Sequence, residues 1–131
     1  MVNYKMLTRG DEDYLEAVYL LTRRGKVTRV RDLAKFLNVK MPSVVAALRT
    51  LKRKGLVQQE RYSYVVLTTA GERVARAVYH RHQAVYRFLR EVLGLDERTA
   101  QLDACRIEHD ITPQTLKRLQ KFVDKFEFRR W

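Results

Sequence analysis

The apolar positions fall into short periodic segments separated by turn residues. Leu15, Val18, Tyr19 and Leu21 repeat at helical spacing over residues 11–24, with acids in the opening turn, basic residues in the last turn and Gly25 as the stop. Thr28 is placed to cap a second, shorter helix with Leu33, Ala34 and Leu37 on its inner face and Asn38 as a left-handed end. A third helix follows closely: Pro42 suits its first turn, Val44, Val45, Leu48 and Leu51 face inward, and Gly55 ends it. The period then changes. Two β-prone runs, Leu56 to Gln59 and Tyr64 to Leu67, join around Arg61 to Ser63 and predict a hairpin.

Helical spacing returns from about Thr69 to Leu93, with Val74, Ala75, Val78, Val85, Phe88, Leu89 and Val92 on one stripe and Gly94 as its close. Asp96 opens a helix through Ile111, and Pro113 opens a last one that turns Leu116, Leu119, Phe122, Val123 and Phe126 toward a core. The predicted fold is therefore mainly α. An N-terminal winged helix-turn-helix occupies residues 1–70 and an all-helical domain residues 71–131.

Charge turns that fold toward a partner. Lys and Arg number 27 against 15 Asp and Glu, and the excess is +8 over residues 1–68 but only +4 over residues 69–131. Such a field favours a polyanion, and the winged helix-turn-helix is the half that carries it. Lys40, Arg49, Lys52 and Arg53 lie on or beside the third helix and Arg61 at the wing tip, where they suit phosphate contact. Met41, Pro42, Ser43 and Ala46 open that helix with no Asn, Gln or Arg, so base readout rests on small and apolar contacts and on DNA shape. The other reading of these cations is a solvated helix face. No apolar run is long enough to span a bilayer, and the first residues lack a signal peptide's pattern, so the expected location is the cytoplasm, with no membrane partner.

The chain has one cysteine, in the string DACRIEHD at residues 103–110. Cys105, Glu108 and His109 are spaced i, i+3 and i+4, within an arc of about 100° on a helix. Thiolate, carboxylate and imidazole together suit a divalent transition ion rather than Mg or Ca. Two readings stay open on these residues alone: a metal site, or a buried thiol beside ordinary polar groups. Asp13 and Glu16 could add oxygens from one face of the first helix, or serve only its dipole. His80 and His82 lie on roughly opposite faces of the long helix, so at most one joins a given site.

The order of DYLE in the first helix, a winged helix, HRHQAVYRFL in the long helix and CRIEH in the next resembles the diphtheria toxin repressor and manganese transport regulator family. The resemblance covers almost the whole chain, in the shorter layout without the family's SH3-like domain. It implies a homodimeric repressor, not an enzyme, that binds a double-stranded DNA operator when a metal ion bridges the first helix and the dimerisation domain. Asp13, Glu16, His82, Glu108 and His109 match the manganese-type ligands. Cys105 matches the iron-type members instead, whereas those carry methionine at the position of Asp13. Tyr86 and Gln101 stand where the iron-type ancillary site has glutamate and histidine. The implied ion is Fe(II) or Mn(II), with Co(II), Ni(II), Zn(II) or Cd(II) able to substitute in vitro, and Phe88, Leu93, Leu119 and Phe122 fall in the region expected to form the dimer. The rival to this reading is a metal-independent winged-helix regulator or nucleoid-type DNA-binding protein.

Overall fold

The computed structural model describes residues 7–25, 27–59 and 64–129. The chain forms two compact units, Met1–Ala77 and Val78–Trp131. In the first, α1 spans Arg9–Arg23, α2 Val30–Leu37 and α3 Met41–Arg53, followed by β1 at Val57–Gln59 and β2 at Val65–Leu67. The strands pair antiparallel, with Val57 opposite Leu67 and Gln59 opposite Val65. The long helix α4, Thr69–Arg87, begins in this unit and ends in the next.

Local chemistry explains most of the boundaries. Thr8 caps α1 through its hydroxyl, which accepts from the Asp11 amide at 3.1 Å, while the Asp11 carboxylate accepts from the Thr8 amide at 3.1 Å. This reciprocal box satisfies two amides that the helix start would otherwise leave bare. Asn38 ends α2 in the left-handed conformation, φ 56° and ψ 49°, as its residue type favours. Thr28, expected to cap α2, does not. Its backbone bridges to Val65 and its side chain is buried, so the cap falls one residue later at Arg29, whose amide donates to Asp32 at 2.9 Å.

Leu15, Val18, Leu33, Val44, Leu48, Leu51, Leu56 and Val65 are all buried in this unit. Each such side chain stabilises it by about 1.5–3 kcal/mol relative to exposure. Val45 departs from expectation: it is 44% exposed, because the stripe Val44, Leu48, Leu51 fixes the inner face and Val45 lies about 100° away. Gly71 is required by contact. A Cβ there would lie 1.9 Å from the Leu56 carbonyl oxygen, which also accepts from the Thr68 amide at 3.1 Å, so α4 starts flush against the chain entering β1.

In the second unit the end of α4 continues as a π-helical turn, Phe88–Val92, that closes at Gly94 with φ 71°. The wider turn was not foreseen in the periodicity. Then come α5, Glu97–Glu108, and α6, Pro113–Arg129. Asp96 caps α5, accepting from the Thr99 amide at 2.7 Å, and the hydrogen bonds from Thr99 hold its carboxyl below its ordinary value. The expected run of α5 to Ile111 is too long; the helix ends at Glu108 with His109 as its cap residue. Val85, Leu89, Ala100 and Ala104 form the core, with Tyr86, Phe88, Leu95 and Ile107 packed on it. On α6, Val123 is fully buried while Phe122, expected inside, is 50% exposed and meets Phe88 edge-on at 6.2 Å.

Candidate metal centre and nucleic-acid surface

The outer face of α3 is a continuous exposed strip. Lys40, Met41, Pro42, Ser43, Val45, Ala46, Arg49, Lys52 and Arg53 are all exposed along it. Small and apolar groups occupy its first two turns and cations its last. The Lys52 ammonium donates to the Gln59 carboxamide on β1 at 2.5 Å, tying the cationic end of the helix to the base of the hairpin. Arg61 lies outside the described residues.

The second unit brings one histidine of α4 to the end of α5. Cys105, Glu108 and His109 each offer a ligand atom, and these atoms lie within 4.8 Å of one another. The fixed geometry of a helix end makes this possible: Cys105 and Glu108 are one turn apart, and the chain passes His109 before α6 begins. His82 joins them. Its Nδ1 lies 2.8 Å from Glu108 Oε2, and His109 Nε2 lies 3.3 Å from Glu108 Oε1.

Glu108 is the revealing member. Its side chain is 0% exposed, and among the described residues neither carboxylate oxygen has a hydrogen-bond donor in good geometry. The imidazole nitrogens are close, but they approach without hydrogen-bond alignment. A buried carboxylate normally costs several kcal/mol unless charge or hydrogen bonds compensate it. Two imidazole nitrogens and a thiol converging on it form a donor set that fits a divalent transition ion.

His80, by contrast, is exposed on α4 and meets the Tyr79 ring edge-on at 5.7 Å. In the first unit, Asp13 and Glu16 stand one turn apart on α1 and are both half-buried. Tyr14 lies between them in sequence, and partial burial pushes its phenol above the ordinary value.

Residues 6–65 match the family described as iron dependent repressor, N-terminal DNA binding domain, and residues 68–130 match iron dependent repressor, metal binding and dimerisation domain. The chain belongs to the iron-dependent repressor family. It is 37% identical over 122 residues to the uncharacterized HTH-type transcriptional regulator MJ0568 of Methanocaldococcus jannaschii, which covers 92% of this chain and 98% of that protein. It is 32% identical over 122 residues to the HTH-type transcriptional regulator MntR of Bacillus subtilis, covering 93% of this chain and 85% of that protein. Among solved structures, the manganese regulator SloR matches with a TM-score of 0.80 at 26% identity over 90% of this chain, which spans 55% of SloR's length. The iron-dependent repressor layout, DNA-binding domain first and metal-binding and dimerisation domain second, is thus the layout of this chain.

Two neighbours of the centre, Tyr86 and Gln101, stand out in the sequence only as departures from the iron-type pattern. Gln101 Oε1 lies 2.7 Å from His82 Nε2, and the Tyr86 ring stacks on that of His82 at 6.3 Å between centroids and 9° between planes. The signal was available: Gln101, Cys105 and Glu108 follow i, i+4, i+7 spacing, one face of α5.

Proposed function

We propose that this iron-dependent repressor family member is a homodimeric, metal-activated transcriptional repressor of metal uptake or homeostasis genes, acting in the cytoplasm on a double-stranded DNA operator. The observation that carries the reading is Glu108, a fully buried carboxylate with no hydrogen bond from the described residues, set between His82 and His109 and beside Cys105. Bound there, Fe(II) or Mn(II) would supply the positive charge that this donor set lacks. Asp13 and Glu16 are proposed to complete the ligands from α1, in keeping with the family resemblance and with their placement one turn apart.

Ligands drawn from both units make α1's position part of the binding equilibrium, so the ion selects the placement of the DNA-reading helices that fits the operator. By linkage, operator DNA tightens metal binding by the same factor. Lys40, Arg49, Lys52, Arg53 and Arg61 are assigned to phosphates, and Met41, Pro42, Ser43 and Ala46 to base edges and thymine methyls. Leu93, Leu102 and Phe122, 56%, 53% and 50% exposed, support an apolar contact between copies. The relatives named above are transcriptional regulators, which favours regulation over enzymatic turnover.

The test uses an operator recovered from a random DNA pool by selection with the protein and Mn(II). Affinity for it is expected to fall at least tenfold when metal is chelated. Equal binding with and without metal would overturn the reading in favour of metal-independent DNA binding.

A further inference from the structure

The contacts of His82 go beyond ligation. Its ring is held on three sides by groups of its own unit: Tyr86 stacks on its face, Gln101 meets Nε2 at 2.7 Å, and Glu108 lies 2.8 Å from Nδ1. The atom of Gln101 that makes the contact is Oε1, a carboxamide oxygen, which accepts hydrogen bonds and has no proton to donate. Nε2 of His82 is then the ring nitrogen that carries the proton. In a neutral imidazole the other nitrogen is left with its lone pair in the ring plane, and that nitrogen is Nδ1, the one beside the Glu108 carboxylate.

Two consequences follow from this arrangement. A lone pair and a carboxylate 2.8 Å apart repel unless a proton or a metal ion lies between them, so with Nε2 turned to Gln101 it is the Nδ1 edge, beside Glu108, that takes up positive charge. The Nε2 edge, occupied as a donor, offers no lone pair to any second ion. The two residues that hold the ring are the ones that depart from the iron-type pattern.

Resting on the regulator reading above, we propose that Gln101 is a positioning residue: it locks His82 in the Nε2-protonated form, with Tyr86 fixing the ring plane, and so dedicates the ring to a single ion through Nδ1. The partner of a ligand's distal nitrogen commonly tunes metal affinity by about 10- to 100-fold.

The experiment uses the full chain labelled with ¹⁵N-histidine and stripped of metal. Long-range ¹H–¹⁵N correlation distinguishes protonated from unprotonated ring nitrogens directly. With three histidines in the chain, His82 is identified by loss of its signals in His82→Asn. Wild type is expected to show a proton on Nε2 of His82. Gln101→Leu, at an exposed position, removes the acceptor; the proton should no longer be held at Nε2 and affinity for Mn(II) alone should fall about 10- to 100-fold. Gln101→Glu keeps an acceptor and should restore both the wild-type tautomer and binding. A wild-type Nε2 without a proton, or a Gln101→Leu protein with an unchanged Nε2 proton and unchanged Mn(II) affinity, would overturn the proposal. The tautomer is read without metal or DNA. Metal-independent operator binding would therefore sink the regulator reading, while this spectrum decides the role of Gln101 by itself.

Discussion

Replacing Glu108 by Gln is expected to make the metal-free protein more stable while removing its response to metal. Glu108 is fully buried, and neither oxygen makes a hydrogen bond to the described residues. Without an ion, folding buries a carboxylate that has no aligned hydrogen bond from the described residues and only the imidazoles of His82 and His109 beside it. Glutamine has nearly the same shape and no charge, and its amide can donate to a histidine nitrogen at the position now 2.8 Å from Oε2. Removing a buried charge in favour of a neutral group of similar volume is worth about 1–4 kcal/mol where it helps, and one added hydrogen bond about 1 kcal/mol. A gain of about 1–3 kcal/mol is expected, and for a domain of roughly 60–100 residues each kcal/mol moves Tm by about 4–8 °C.

Metal should reverse the order. At a free ion concentration of about 100 times Kd, binding stabilises the wild type by about 2.7 kcal/mol, whereas a site weakened a hundredfold gains only about 0.4 kcal/mol. Calorimetric melting at pH 8, in chelator and then with Mn(II), reads both numbers from the same two proteins. Glu108→Gln should melt above wild type in chelator and below it, or level with it, in Mn(II). A variant that melts lower in chelator, as an ordinary damaged core does, would refute the reasoning, as would one that keeps the full metal increment.

Three further substitutions probe other parts of the argument. Cys105→Ser exchanges a soft donor for a hard one and should shift competition binding toward Mn(II) over Co(II) or Zn(II) by tenfold or more; unchanged ratios would remove the thiolate from the ligand set. Gly71→Ala gains the usual helical preference of about 1 kcal/mol but drives a methyl to 1.9 Å from the Leu56 carbonyl oxygen, so the net effect should be a loss of at least about 2 kcal/mol in urea unfolding, and a neutral result would deny the close approach. Arg53→Ala should weaken operator and non-operator DNA alike and lower the slope of log affinity against log salt by about one; a selective loss on operator alone would point to base readout instead.

How much of this could be read from residues alone depended on whether the deciding interaction was local. Asn38 and Pro42 act within a turn of themselves, and the boundaries they set agree with the structure. Thr28 looked equally good as a cap, but a residue 37 positions away in sequence, Val65, claims its backbone, and no local pattern contains that competition. Val44 and Val45 differ only in helix phase; weighting the 44, 48, 51 spacing would have separated them. The π turn at Phe88–Val92 inserts into an otherwise regular stripe, which single-period matching passes over. At the centre, residue type and spacing singled out Cys105, Glu108 and His109, and the structure brings their ligand atoms together. What spacing could not express was the bare carboxylate of Glu108 or the ring contacts of His82, because these depend on how α4 and α5 lie together within their unit.

The first unit adds a reason why an ion captured by α1 would matter to DNA. Asp11, two residues before Asp13, pairs with Lys54 at 2.6 Å, and Lys54 is the residue that ends α3, directly after Arg53. Asp11 is 8% exposed and Lys54 29%, so this pair is better shielded from solvent than a surface bridge and holds more of its strength in salt. The same carboxylate also accepts from the Thr8 amide, so it is fixed at both ends of its reach. Leu15, Val18, Leu48 and Leu51 are buried in the unit where α1 packs on α3, and such apolar contacts resist sliding because close-packed interiors have few intermediate arrangements. A displacement of α1 therefore carries α3 with it as one body. Under the proposed function, an ion held by α1 would therefore act on the unit as a whole, and the recognition helix would need no internal rearrangement to respond.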